Sequence, residues 1–206
     1  MLISAIIICQ NARPFIQTCI ESVRQQSQQA DEIIVVDGNS QDGTKEWLLQ
    51  QVDLRVLTQT GTGIANARNQ GIRAAAGKYI AFLDADDSWM PQKLAQQLLY
   101  ISSGNDNQAI TCHLIKTDDA SAKPWVAMTP GGFLFKQQVF NLFGFFDERW
   151  AVASDHEWFI RAVRQGLRYA VMPEVLLCKG MHSDNLSIVK KSHYRLEMME
   201  IMRSRS

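Results

Sequence analysis

Four short runs dominated by apolar residues, 2–9, 32–36, 55–57 and 79–83, are separated by stretches with helical periodicity. This alternation constrains the fold more than any other feature of the chain. A strand with one wet face alternates polar and apolar residues, whereas a strand covered on both faces reads as continuously apolar. Parallel strands also need a crossover of a dozen or more residues, usually a helix. The pattern therefore predicts an α/β fold of Rossmann type, a largely parallel sheet with helices on both faces. Helices are expected over 14–26, 45–51, 64–76 and 91–101, the first with Phe15, Ile16, Cys19, Ile20 and Val23 on one face and the last with Pro91 in its first turn. From residue 102 the order changes. Strands are expected over 110–115, 125–128, 133–135, 169–172 and 175–178, with helices over 137–142 and 155–165, so the sheet is mixed. No repeat or long linker interrupts the chain, and 1–206 reads as one domain.

Composition limits what such a domain can bind. Lys+Arg and Asp+Glu both number 21, so no general field attracts nucleic acid, and an anion must be held locally. The four cysteines form no C-x-x-C pair, which argues against a zinc knot and for a reducing, cytoplasmic setting. No transmembrane segment is expected, because no run of eighteen apolar residues occurs. Residues 188–206 are expected to form a helix packed on the domain; a homodimer contact or peripheral contact with a membrane surface are its alternatives.

Acids collect where strands end, which is where open α/β sheets bind ligands. Asp37 closes "EIIVVD" and is expected to contact a base or ribose, while Asp42 and Thr44 serve the following turn and helix cap. Asp84, Asp86 and Asp87 follow "YIAFL". Three like charges so close repel unless something positive lies between them. Side chains two apart in an extended chain share a face, so Asp84 and Asp86 are expected to face one ligand, suited to Mg²⁺ or Mn²⁺ and ribose hydroxyls. "GTGIANA" mimics a dinucleotide fingerprint but does not follow the first strand; a Gly-rich helix start whose Arg68 meets an anion fits better. In "ASDHEWFIR", Ser154 and Glu157 match a capping box, and Asp155 falls three and four residues before Trp158 and Phe159, which turns it inward as a proton acceptor. His182, in the polar stretch after the last strand, is a candidate to close over a metal–phosphate group.

Taken together, a first strand ending at Asn11, "DEIIVVDGNSQDGT", "GIANARNQGIRAAAGKYIAFLDADD", "GGFLFKQQVFNLFGFFDER", "SDHEWFIR" and "HSDNLS" closely resemble family 2 glycosyltransferases of the GT-A fold. The resemblance covers about residues 2–187. It implies a nucleotide-binding half over 1–101 and an acceptor-binding half over 102–187. It also implies an inverting, non-processive transfer from a UDP-, GDP- or dTDP-sugar to a saccharide or lipid-linked acceptor. By the same resemblance Asn11 belongs to the nucleotide-sugar site, Asp37 binds the nucleobase, Arg68 the nucleotide and Asp84 the ribose. Asp86 and His182 hold the metal, Gly131 and Gly132 line the acceptor and donor-sugar side, and Asp155 is the base. The acidic residue that usually precedes that base is Ser154 here. A binding module of the same fold without turnover, or a nucleotidyltransferase, are the alternative readings.

Overall fold

The computed structural model describes residues 3–104, 106–117, 123–181 and 190–203. The strands are β1 (Ile3–Cys9), β2 (Glu32–Asp37), β3 (Leu54–Thr58), β4 (Tyr79–Asp84), β5 (Ser88–Trp89), β6 (Ala109–Lys116), β7 (Trp125–Val126), β8 (Leu134–Lys136) and β9 (Tyr169–Lys179). The helices are α1 (Ile16–Arg24), α2 (Thr44–Leu48), α3 (Gly63–Ala74), α4 (Lys93–Ser102), α5 (Gln138–Leu142), α6 (Ser154–Arg164) and α7 (Lys191–Arg203). One sheet runs β3-β2-β1-β4-β8-β6-β9-β5, with β7 pairing β6. β3, β2, β1 and β4 are parallel, β8 is antiparallel to both β4 and β6, and β6 is parallel to β9.

The apolar strands are explained by their two covered faces. Ile3, Ala5, Ile7 and Cys9 of β1 pack with α1, α2 and α4, through Ile16, Ile20, Leu48 and Leu94. Ile6 and Ile8 point the other way, into an aromatic cluster with Phe82, Phe135, Phe140 and Trp158 that includes α3, α5 and α6. Every residue of β1 is therefore buried, and each such large aliphatic side chain is worth about 1.5–3 kcal/mol. No helix among the described residues is long and apolar enough to cross a membrane.

Sequence order reverses between β1 and β4: the chain steps outward from β1 to β2 to β3, then returns to pair β4 on the other side of β1. A sheet of this kind opens a crevice at that reversal, outside the carboxyl ends of the strands. Asp84 is in register with Ile8, and Asp37 with Cys9, so both acids lie at its mouth.

Several local expectations are corrected. Pro91 lies in a turn before α4, which starts at Lys93 with Gln92 as its cap. β5 was not legible, being only two residues long. The two strands expected over 169–172 and 175–178 are one strand, whose register against β6 slips near Pro173. Proline has no N–H to give the ladder, and an irregularity accommodates it.

Candidate active site

Asp84 is the last residue of β4, and the chain then turns, Asp87 N–H donating to Asp84 O at 3.0 Å. The alternation that was expected to aim Asp84 and Asp86 together stops at the strand end. Asp84 closes the turn and Asp86 lies inside it. Each end of that turn has its own counter-charge. Asp84 Oδ1 accepts from Arg68 Nη2 at 3.1 Å. Asp87, 3% exposed, takes the Gly180 amide at 2.9 Å and Lys179 Nζ at 3.3 Å. Burial pushes the Asp87 carboxyl up to about 7; Lys179 pulls it down, and the charges of Asp84 and Asp86 add to the rise. Gly180 passes so close to the carbonyl of Asp86 that no side chain would fit there.

Half-buried Asp86 borders a cleft of about 220 Å³ between this turn, the start of α1 at Pro14, Phe15 and Thr18, and Thr117 and Gly180. His182, expected to close over this place, lies outside the described residues.

Arg68 projects from α3 and is 2% exposed. Beyond Asp84 it lies 5.6 Å from the centre of the Phe146 ring, and its Nε has no acceptor among the described residues. Helix α3 is fixed by Asn69, which exchanges hydrogen bonds with the backbone of Phe146 and donates to Glu148.

Asp155 opens α6 beside a narrow crevice with Thr129, Phe146 and Trp158 on its walls. Its Oδ1 accepts from the His156 amide at 2.8 Å and lies 2.9 Å from His156 Nδ1. Burial raises this carboxyl, but the His156 hydrogen bond and the Arg68 charge outweigh it and hold the group below its ordinary range. The His156 imidazole is raised in turn, chiefly by its hydrogen bond to Asp155. The capping box is absent. Ala153 occupies the cap position without a side-chain bond, Ser154 Oγ is buried with no partner among the described residues, and Glu157 pairs with Arg161 at 3.1 Å. Helix α6 begins one residue earlier than the box requires, which places Ser154 inside it.

Other expected residues stand at the crevice but face the protein. Asp37 is fully buried, accepting the Ser40 amide at 3.2 Å beside the Cys9 thiol. Asn11 adopts φ 50° and accepts the Gln41 amide at 2.8 Å, which ties the end of β1 to the loop after β2. Asp42 accepts from Thr44, whereas Gly43 holds the cap position of α2. Gly131 and Gly132 form a buried turn whose carbonyls accept from Trp89 Nε1 at 3.2 Å and Gln97 Nε2 at 2.8 Å. The sequence reading missed His156, Lys179 and Trp89 as parts of this region. Only His156 carried a signal, its adjacency to Asp155.

Among known proteins, the chain is 36% identical over 125 residues to the putative teichuronic acid biosynthesis glycosyltransferase TuaG of Bacillus subtilis, covering 58% of this chain and 50% of TuaG. It is 36% identical over 107 residues to WfgD of Escherichia coli, a UDP-Glc:alpha-D-GlcNAc-diphosphoundecaprenol beta-1,3-glucosyltransferase, covering 50% and 42%. The chain thus spans half or less of the length of these relatives. Its backbone matches glucosyl-3-phosphoglycerate synthase from Mycobacterium tuberculosis, solved with Mn²⁺, UDP and phosphoglyceric acid, at TM-score 0.75 and 14% identity over 99% of this chain and 78% of that one. The fold is accordingly the GT-A fold anticipated from the motifs. Residues 4–168, which include β1 through α6 and with them Asp37, Arg68, Asp84, Asp86 and Asp155, match the model of Glycosyl transferase family 2, and the chain belongs to that family.

Proposed function

We propose that this chain transfers a sugar from a UDP-sugar to a hydroxyl of a lipid-linked saccharide, with inversion and one sugar at a time. The donor and acceptor classes follow those of the relative WfgD. The observation that carries the reading is Arg68. One buried guanidinium pairs with Asp84 at the strand end and also holds the Asp155 carboxyl down, so the two groups share a single cation. A donor bound by the first group is then presented to the second.

In this reading Asp84 takes ribose hydroxyls and Arg68 faces the nucleotide, while Asn11 and Asp37 shape the base end of the crevice. Gly131 and Gly132 set the wall near the sugar. Asp155 accepts the proton of the incoming hydroxyl. Its depressed pKa keeps it ionised at neutral pH, and the bond from His156 to Oδ1 leaves Oδ2 as the accepting atom. One base suffices for inversion, because the leaving group needs charge compensation rather than a second carboxylate.

Among the described residues no three His, Cys, Asp or Glu side chains are grouped to hold a metal. Asp84 and Asp87 bind cations of the protein, and Asp86 borders the cleft. A single carboxylate fits Mg²⁺ or Mn²⁺ whose other ligands are substrate phosphates and water, not an ion held by protein alone. Asp86 would hold that ion, with His182 as the candidate second ligand, and the ion would act as a Lewis acid toward the departing diphosphate.

The test is a transfer assay with UDP-sugars, Mn²⁺ and a lipid-linked saccharide, together with donor binding by calorimetry. Asp155→Asn is expected to keep donor affinity and lower turnover by about 10²–10⁴-fold. Retained turnover refutes the base, and a product with the donor's own anomeric configuration refutes inversion.

A further inference from the structure

Helix α7 lies after the region that matches the family, yet it reaches the start of α6. Glu197 is 6% exposed, and its carboxylate accepts three successive backbone amides, Ala151 at 2.8 Å, Val152 at 3.0 Å and Ala153 at 2.7 Å. Ala153 is the cap of α6, and neither it nor Ser154 supplies a side-chain oxygen to that helix end. A carboxylate beside a helix N-terminus also complements its dipole, and here one arrives from another helix. His193 Nε2 stands 3.1 Å from the same carboxylate. One turn before Glu197, Tyr194 sets its ring edge against His156, 5.5 Å between centroids, and His156 in turn holds Asp155. Ile201, fully buried, anchors α7 one turn further on.

We infer that Glu197 is a positioning residue for the reaction: by gripping the amides of residues 151–153 it fixes the entry of α6, and with it the place of the Asp155 carboxylate. The inference rests on the reading of Asp155 as the base. A proton acceptor must meet its hydroxyl within hydrogen-bond reach, and a displacement near 1 Å is enough to cost about a hundredfold in rate.

The experiment compares Glu197→Ala, Glu197→Asp and Ile201→Ala in the full chain, measuring kcat, donor affinity and melting temperature. Glu197→Ala is expected to lower kcat by roughly tenfold to a hundredfold with donor affinity unchanged. Glu197→Asp keeps the carboxylate and should recover part of the loss. Ile201→Ala loosens α7 without touching the three amides. It should lower the melting temperature and leave kcat near wild type when assayed well below that temperature. A wild-type kcat in Glu197→Ala overturns the inference. So does an equal loss of kcat in Ile201→Ala, which would make the effect one of folding alone. If the alanine variant does not fold, Glu197→Gln keeps the shape and one acceptor oxygen, and wild-type kcat there overturns the inference equally. Asp155→Asn in the same assay separates the two readings. If it is inactive while Glu197→Ala is not, the positioning role fails; if it is active, the base assignment fails.

Discussion

The two glycines of the buried turn make a sharp test, because the space around them differs. A methyl added at Gly132 would lie 2.6 Å from Ala127 O and 2.9 Å from Thr111 Oγ1, and closer still to Ala127 Cβ. None of these atoms can move aside. Ala127 N–H donates to Cys112 O at 2.8 Å, Thr111 Oγ1 donates to Ala127 O at 2.6 Å, and Gln97 holds the Gly132 carbonyl at 2.8 Å. Carbon atoms pack at about 3.5–4.0 Å, so Gly132→Ala must push two hydrogen-bonded segments apart by close to 1 Å. Overpacking of this kind costs about 1–3 kcal/mol, and the rigid surroundings put the expected value near 3. For a chain of this length that is a fall in Tm of roughly 6–12 °C. At Gly131 the nearest atoms to an added methyl are Leu177 Cδ2 at 3.6 Å and Leu177 Cδ1 at 3.7 Å, which is ordinary contact. Gly131→Ala should fall within about 0.5 kcal/mol of wild type, helped by the lower entropy of its unfolded chain. Urea unfolding of both variants gives the comparison. A Gly132→Ala protein as stable as wild type would show that the turn yields, and that packing does not require glycine there.

Lys93 gives a pH prediction. It is fully buried, bonded to Gln97 Oε1 at 2.8 Å, and burial lowers its pKa to about 8. Between pH 8 and 10.5 the unfolded chain therefore holds a proton that the folded chain has lost, and stability rises with pH, by up to about 1.4 kcal/mol per unit. The raised thiols of Cys9, Cys19, Cys112 and Cys178 act in the opposite sense as pH approaches their ordinary value of 9.0, so the lysine's contribution is read as the difference between wild type and Lys93→Met. In urea melts that difference should move in favour of wild type as pH rises from 8 to 10; a constant difference refutes the lowered lysine. Arg68→Met removes the cation shared by Asp84 and Asp155; UDP affinity should fall by at least about tenfold, and the acid limb of the rate profile should move up in pH. Unchanged affinity by calorimetry refutes the nucleotide role of Arg68.

Much of this architecture was legible because it depends on periodicity. Continuous apolar runs gave the parallel strands, and the acids at their ends gave the crevice. What escaped were features set by distant parts of the chain. The two residues of β5 are a strand only because β9 passes beside them. Asp84 and Asp86 were read as facing one ion, and neither Arg68, sixteen residues before Asp84, nor Lys179, ninety-two after Asp87, could be paired with this acidic turn by spacing. The capping box at Ser154 matched a local pattern, but the helix starts at Ser154 itself, and its entry is held by Glu197, more than forty residues on, through the amides of 151–153. A local pattern cannot register a partner that distant.

Asp84 and Asp86 were expected to face one ion, and the structure adds counter-charges from the protein itself at Asp84 and Asp87. Two charges about 4 Å apart interact by about 4 kcal/mol at the effective dielectric near a protein surface, so the turn could not close on three uncompensated acids. Arg68 serves Asp84, Lys179 and the Gly180 amide serve Asp87, and the raised pKa of Asp87 removes part of the remaining charge. The fold therefore needs no metal to hold its acids. The consequence is measurable without any substrate. Protein stripped with a chelator should melt within about 1 °C of protein in Mn²⁺, since an ion that binds weakly without its phosphates adds almost nothing to stability. Adding UDP to the Mn²⁺ sample should then raise the melting temperature, because UDP supplies the missing ligands. A fall of several degrees on chelation alone would refute this reasoning: it would show that the ion, and not Arg68 and Lys179, holds the turn together.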